Sequence, residues 1–302
     1  MRQFPRITVT AKGEDFLRGG HVWVYADEVT HVSAPIENGA LTDVYSQKDK
    51  YLGTGFYNAN SKIRVRIVSK NANDAFDEAF WERKLRWALE YRRSVMGENF
   101  SNCRLIFGEA DAFPGWTVDR FGDVLVTQVL SLGIETRKDL LYRLLLRLLR
   151  EEFGQEIHVL YERNDVAIRV LEGMSEFKGF YTGEGLETET DGTTEIVENG
   201  VRYQVDYING QKTGFFLDQK YNRQAIRSVA SGKRVLDCFT HTGSFALNAA
   251  QAGAAHVTAV DISADALAMA KANAERNGLT DRMDFCCYGL RNRYAVNRGA
   301  DS

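Results

Sequence analysis

The chain has 302 residues, of which 44% are hydrophobic and 26% are charged, and its formal net charge is −3. This composition is typical of a soluble globular protein, the length predicts two domains or three small ones, and the net charge gives no general indication of nucleic-acid binding. No apolar run approaches the roughly 18 residues of a membrane span, and no apolar signal core occurs near the N-terminus, so the sequence predicts a cytoplasmic protein without a membrane partner. The four cysteines are too few and too poorly spaced for a disulfide framework, and no metal site is predicted.

The first 72 residues are slightly basic and are predicted to form a small β-barrel. They contain ten Lys and Arg against seven Asp and Glu, a net charge of +3. Short strands are predicted at residues 7–10, 41–45, 51–56 and 63–68, separated by turn residues. In the last of these, Arg64 and Arg66 alternate with apolar residues. They form either an ordinary solvated face or a face that contacts phosphate.

Residues 73–186 are predicted to form an α+β domain of their own. An amphipathic helix is expected from residue 75 to about residue 96, because Phe76, Phe80, Trp87 and Tyr91 recur at helical spacing. We expect these four aromatic side chains to lie in the core. Further strands are predicted at residues 103–108, 124–130 and 158–161, and further helices at residues 136–153 and 166–171.

From residue 187 onward the pattern changes. A hairpin is predicted around Asn199 and Gly200, and strands then alternate with helices at residues 234–238, 243–252, 256–260, 264–277 and 283–287. Short connections between alternating strands and helices are typical of a parallel, doubly wound sheet. The predicted fold class is therefore an α/β multidomain protein that ends in a partial Rossmann-like domain.

The turn after the first of these parallel strands predicts a nucleoside cofactor. Gly243 allows backbone amides to approach a ligand closely, and Asp261, 18 residues later, ends the next strand, where an acid accepts hydrogen bonds from ribose hydroxyls. Asp237 would repel a phosphate, but it suits the positive amine of S-adenosyl-L-methionine. That cofactor is therefore favoured over NAD or ATP, which need a turn that cradles phosphate.

Residues 209–219 precede the first parallel strand, at 234–238. This stretch is predicted to cross over the same ligand, because it is polar and flanked by glycines. The full set of predicted cofactor contacts is Lys212, Thr213, Phe216, Asp218, Gln219, Asp237, Phe239, Thr242, Gly243, Asp261, Ile262 and Ser263.

Four segments together resemble the ribosomal RNA large subunit methyltransferase I family over residues 1–288: GHVWVY at 20–25, DAFPGWTVDRFGD at 111–123, KTGFFLDQ at 212–219 and DCFTHTGSF at 237–245. The resemblance implies a PUA-like RNA-binding domain at 1–72, a central domain at 73–186, and the N-terminal part of a class I methyltransferase domain at 187–302. It implies methylation of C5 of a cytosine in large-subunit ribosomal RNA, with S-adenosyl-L-methionine as cofactor. The predicted RNA contacts of this chain are His21, Trp23, Arg64 and Arg66. Whether the chain forms a homodimer is left open.

The chain also departs from the pattern of that family. Residues 289–302 are an atypical tail, with Gly289 where the family places an acid, and the resemblance implies truncation after about Tyr288. The three prolines (Pro5, Pro35 and Pro114) leave no Asp-Pro-Pro loop, and no cysteine matches the nucleophile of the family. No catalytic residue is therefore predicted in this chain, and its activity is left open. The alternative is a noncatalytic RNA-binding protein that uses the PUA-like domain.

Overall fold

The computed structural model describes residues 4–287, which fall into two compact units. The first unit holds the chain up to Gly192 together with Tyr207–Thr213, and the second holds Thr193–Asp206 and the chain from Gly214 onward. The predicted atypical tail at 289–302 lies outside the described residues. Within residues 4–287, every helix is too short or too polar to cross a bilayer.

The N-terminal part of the first unit is a mixed six-stranded sheet in the order β2-β6-β5-β4-β1-β3. Its elements are β1 (Arg6–Val9), α1 (Ala11–Arg18), β2 (Trp23–Tyr25), β3 (Val29–Val32), β4 (Leu41–Tyr45), β5 (Tyr51–Tyr57) and β6 (Ile63–Ser69). Helix α1 begins after Thr10, whose hydroxyl accepts a hydrogen bond from the Gly13 amide and so satisfies one of the free amides of the first turn. Val24, Val44 and Val65 are fully buried in the core of this sheet.

The second part of the first unit is a five-stranded sheet in the order β11-β10-β9-β8-β7. Its elements are α2 (Glu78–Met96), β7 (Asn102–Phe107), β8 (Trp116–Phe121), β9 (Val124–Val129), α3 (Leu132–Glu135), α4 (Lys138–Glu151), β10 (Val159–Asn164), α5 (Ile168–Leu171) and β11 (Phe177–Phe180). The leucines of α4 and the inner face of α2 share one apolar core with this sheet. Strands β8 and β11 were not predicted from the sequence.

The aromatic side chains of α2 correct one prediction. Phe76 and Phe80 are buried as expected, but Trp87 and Tyr91 are 55% and 60% exposed. The buried stripe of this helix runs from Phe80 through Trp81, Leu85, Ala88, Leu89 and Arg92. Phe76 lies just before the helix, and of the predicted core positions only Trp87 and Tyr91 fall outside the buried stripe, because aromatic residues occur on both sides of the helix.

The second unit begins with a hairpin and continues as the predicted alternation. The hairpin joins β12 (Thr193–Glu198) to β13 (Val201–Asp206) through Asn199 and Gly200, which both have positive φ, as a tight hairpin turn requires. There follow α6 (Lys220–Ala230), β14 (Arg234–Cys238), α7 (Ser244–Gln251), β15 (His256–Asp261), α8 (Ala264–Arg276) and β16 (Met283–Cys287). The three strands β14-β15-β16 are parallel, so their carboxyl ends share one edge of the sheet.

Candidate functional site

The turn between β14 and α7 is tightly wound at the carboxyl edge of the parallel sheet. Phe239 and His241 both adopt left-handed backbone conformations, with φ of 62° and 53°. Gly243 has a φ of 80° and precedes the first residue of α7. A Cβ atom at Gly243 would lie 2.9 Å from Cβ of Ala270, so both the conformation and the space favour glycine there. The backbone of this turn is therefore fixed within narrow limits.

The Asp237 carboxylate is held inside the turn. Its Oδ2 accepts hydrogen bonds from the Thr240 hydroxyl at 2.6 Å and from the Ala246 amide at 3.0 Å. Burial raises the pKa of this carboxyl, because the charged form is poorly solvated. A cationic group bound next to Asp237 would stabilise the charged form, whereas a phosphate would not.

Asp261 joins the same turn to the end of the neighbouring strand. Its Oδ2 accepts a hydrogen bond from the His241 amide at 2.8 Å, and its Oδ1 accepts one from the Ser263 amide at 3.0 Å. Two apolar side chains follow the adjacent strands β14 and β15 directly: Phe239 is 75% exposed and Ile262 is 77% exposed. The carboxyl edge therefore presents two carboxylates together with two uncovered apolar side chains.

The structure brings part of the predicted 212–219 segment to this edge. The Phe216 ring lies edge-on against the His241 ring, with centroids 5.6 Å apart. Asp218 is exposed, and its carboxylate accepts a hydrogen bond from the Gln219 side chain. Lys212 and Thr213 belong to the first unit instead.

Thr213 makes a buried contact inside the first unit. Its hydroxyl donates a hydrogen bond to Oδ2 of Asp119 at 2.6 Å, and the Arg104 guanidinium binds the same carboxylate with two hydrogen bonds at 2.7 and 2.9 Å. Arg163 donates to the carbonyls of Tyr207 and Gly210, which anchors the start of the same stretch. The Thr213 hydroxyl thus has a structural partner that the sequence did not indicate, because Asp119 lies 94 residues away.

Replacing Thr213 by valine is expected to lower the free energy of unfolding of the first unit by about 1 kcal/mol, because one buried hydrogen bond to a carboxylate is lost while Arg104 still neutralises that carboxylate. All four tryptophans of the chain lie in the first unit, so tryptophan fluorescence during urea unfolding measures the stability of that unit. Thr213→Ser keeps the hydroxyl and is the control. Equal destabilisation by serine and valine would assign the loss to the missing methyl group or to repacking.

The predicted RNA contacts occupy two different environments. The rings of His21, Trp23 and Tyr25 form a cluster with centroids 5.8 to 6.4 Å apart, and His21 is exposed. Arg66 pairs with Glu109 at 3.2 Å and with Glu172 at 2.8 Å, and its side chain is only 11% exposed. Its role in RNA binding stays a prediction, and these two carboxylates give its charge a structural partner.

Arg64 differs from Arg66. It donates to the Asn58 carbonyl at 3.1 Å and lies beside the Tyr57 ring.

Within the part of the chain that the structure describes, no group of three or more His, Cys, Asp or Glu side chains is arranged to hold a metal ion.

Two family models match parts of the chain. A PUA-like domain matches residues 7–70, and an S-adenosylmethionine-dependent methyltransferase matches residues 170–298. The chain is 38% identical to ribosomal RNA large subunit methyltransferase I of Pseudoalteromonas translucida over 89% of its own length and 66% of the relative. It is 36% identical to the protein of the same name from Klebsiella pneumoniae, over 91% of its own length and 67% of the relative. The chain thus spans about two thirds of the length of the curated relatives it matches.

Solved structures support the fold. A protein from Streptococcus mutans described as an S-adenosylmethionine-dependent methyltransferase matches with a TM-score of 0.78 and 22% identity, covering 97% of this chain and 73% of that one. A methyltransferase solved in complex with SAH matches with the same TM-score and covers 97% of this chain and 72% of that one. At this level of identity the likeness establishes the multidomain α/β fold and no more.

Proposed function

The chain belongs to the ribosomal RNA large subunit methyltransferase I family, and on that premise we propose that its second unit binds S-adenosyl-L-methionine for methylation of C5 of a cytosine in large-subunit ribosomal RNA. The observation that carries the proposal is the pair of carboxylates, Asp237 and Asp261, held at the carboxyl ends of adjacent parallel strands around one tight turn. Cofactors bind at this edge of open α/β sheets.

The residues at the edge fit this cofactor in three respects. Each carboxylate oxygen can accept two hydrogen bonds, so Asp261 retains room for ribose hydroxyls beyond its two backbone contacts. The exposed side chains of Phe239 and Ile262 offer apolar surface to a base. The buried Thr242 hydroxyl has no hydrogen-bond partner among residues 4–287, which suits a site that a polar ligand completes.

We assign roles in binding rather than in chemistry to these residues. Asp237 would hold the amine, Asp261 the ribose, and Phe239 and Ile262 the base, while Phe216, Asp218, Gln219, Thr242, Gly243 and Ser263 of the same unit remain proposed contributors to the site. When bound, S-adenosyl-L-methionine supplies the electrophilic methyl group. C5 methylation also needs a thiolate that adds to C6 of the base, and we assign that role to no residue of this chain.

Isothermal titration calorimetry with four ligands tests the proposal. We expect S-adenosyl-L-methionine and S-adenosylhomocysteine to bind, and NAD and ATP to bind at least tenfold more weakly, because Asp237 repels phosphate. Tighter binding of ATP or NAD than of S-adenosyl-L-methionine would overturn the cofactor assignment. Transfer of a labelled methyl group to unmethylated large-subunit RNA then tests the activity separately.

A noncatalytic RNA-binding function is the second candidate. It is favoured by the PUA-like match at residues 7–70 and by the exposed His21, whose ring lies in a cluster with Trp23 and Tyr25. It predicts RNA binding and does not require any affinity for S-adenosyl-L-methionine. For either candidate we propose a cytoplasmic location and ribosomal RNA as the partner. The homodimer and the three-domain division at residues 1–72, 73–186 and 187–302 stay predictions, the first of which light scattering would test.

Under either function, Arg64→Ala is expected to weaken RNA binding and to reduce the slope of log K against log salt by about 0.7–0.9, the change produced by one lost phosphate contact. Fluorescence anisotropy with a labelled RNA at several salt concentrations measures this slope. Lys48→Ala, which removes an exposed lysine from the turn between β4 and β5, controls for the loss of net charge. Identical slopes for Arg64→Ala and the wild type would leave Arg64 on an ordinary solvated face.

A further inference from the structure

A buried ion pair in the second unit contacts the segment that leads to the candidate cofactor site. Arg223 on α6 and Glu198 at the end of β12 are 1% and 2% exposed. The guanidinium binds the carboxylate in a fork, with Nε 2.6 Å from Oε1 and Nη2 2.9 Å from Oε2. Such planar pairing fixes the orientation of the guanidinium as well as its position.

The same guanidinium also holds two consecutive residues of the segment. Its Nη2 donates a hydrogen bond to the Phe216 carbonyl at 2.9 Å. Its Cζ lies 4.6 Å from the centroid of the Phe215 ring, which also contacts the Tyr203 ring at 5.0 Å. Arg223 therefore restrains both the backbone of Phe216 and the side chain of Phe215.

Phe216 connects this pair to the site. Its ring lies edge-on against His241, and the His241 amide donates to Asp261. A short series of contacts thus runs from Glu198 through Arg223, Phe216 and His241 to the carboxylate proposed to bind ribose. Every member belongs to the second unit.

We propose that Arg223, oriented by Glu198, is a positioning residue that holds Phe216 against His241 and so sets the shape of the cofactor turn. The proposal rests on the proposed function. Stability alone does not call for this pair, because well-packed apolar residues often replace a buried ion pair at no cost in stability. What an apolar pair cannot replace is the hydrogen bond to the Phe216 carbonyl.

The test separates position from stability with a double variant. Glu198→Leu with Arg223→Met removes both charges and keeps comparable volume, so no buried charge is left unpaired. We expect a thermal midpoint near that of the wild type, together with a five- to tenfold higher Kd for S-adenosyl-L-methionine. Arg223→Lys keeps the charge but loses the fork, and we expect a smaller rise in Kd. The matched control is Glu195→Gln with Arg276→Gln, a more exposed pair between the same hairpin and α8, which should leave Kd unchanged.

Hydrogen exchange supplies a readout that needs no cofactor. Amides of residues 214–219 and of the turn 239–243 should exchange faster in the double variant than in the wild type or the control. Unchanged exchange in both segments would overturn the proposal, whatever the affinity. If the wild type binds no S-adenosyl-L-methionine, the proposed function fails. The positioning role is then still decided by whether these amides exchange faster in the double variant than in the wild type. Should the double variant fail to fold, the Kd and the hydrogen exchange of Arg223→Lys test the proposal in its place.

Discussion

Gly243→Ala is expected to abolish measurable cofactor binding and to lower the free energy of unfolding of the second unit by about 2–5 kcal/mol. The left-handed conformation at φ 80° costs an L-residue roughly 1–2 kcal/mol. The new Cβ would also lie 2.9 Å from Cβ of Ala270, and overpacking of this kind costs about 1–3 kcal/mol. Relief of the clash must move the turn or α8, and the turn carries both carboxylate contacts. Calorimetry measures the loss of cofactor binding, and hydrogen exchange over residues 234–287 measures the loss of stability.

Gly253→Ala is the matched control for this substitution. Gly253 lies in the same unit with a φ of 88°, but a Cβ atom there would meet nothing closer than the Ser231 hydroxyl at 3.7 Å. It should therefore show the conformational cost of about 1–2 kcal/mol without the clash, and it should bind the cofactor normally. Equal affinities for the two variants would show that the space at Gly243 is irrelevant to the site.

Asp261→Ala is expected to weaken binding of S-adenosyl-L-methionine by about 1.5–3 kcal/mol, a factor of roughly 10 to 150 in Kd, because hydrogen bonds from ribose to a charged acceptor are lost. Some of this effect would come from the His241 amide, which loses its acceptor in the same substitution. Asp261→Asn keeps one acceptor oxygen and should fall between the wild type and alanine.

Asp284→Ala provides the comparison for Asp261. Asp284 lies on the neighbouring strand β16, is exposed and contacts only His256 among the partners that the structure describes for its side chain. Its removal changes the net charge of the same sheet by the same amount, and affinity should not change. If Asp261→Ala bound as tightly as Asp284→Ala, Asp261 would have no part in holding the ribose.

Local pattern was enough to predict the alternating strands and helices of the second unit, because each of its parallel strands is a short apolar run between turn residues. The Asp237, Gly243 and Asp261 positions followed from that pattern alone. The same reasoning could not choose the buried face of α2, where Trp81 and Trp87 give competing stripes.

Long-range partners explain the remaining differences. Arg66 was predicted to lie on a basic face, but its partner Glu172 is 106 residues away. Arg223 carried no signal at all, since nothing in the spacing of 25 residues to Glu198 marks the two as a pair. Contacts of this kind depend on how sheets and helices assemble, which hydrophobic periodicity does not encode.

The first unit is discontinuous in sequence, and this has a consequence for its synthesis. Its last stretch, Tyr207–Thr213, follows the hairpin of the other unit, yet it supplies the carbonyls that Arg163 binds and the hydroxyl that Asp119 binds. A nascent chain that has released only residues up to 192 from the ribosome therefore lacks contacts that complete this unit. Domains generally fold as units during synthesis, so we expect final closure of the N-terminal unit to wait until β12 and β13 have emerged. Force profiles of arrested nascent chains should then show a late folding step beyond residue 213, and a fragment ending at Gly192 should be less stable than one ending at Thr213.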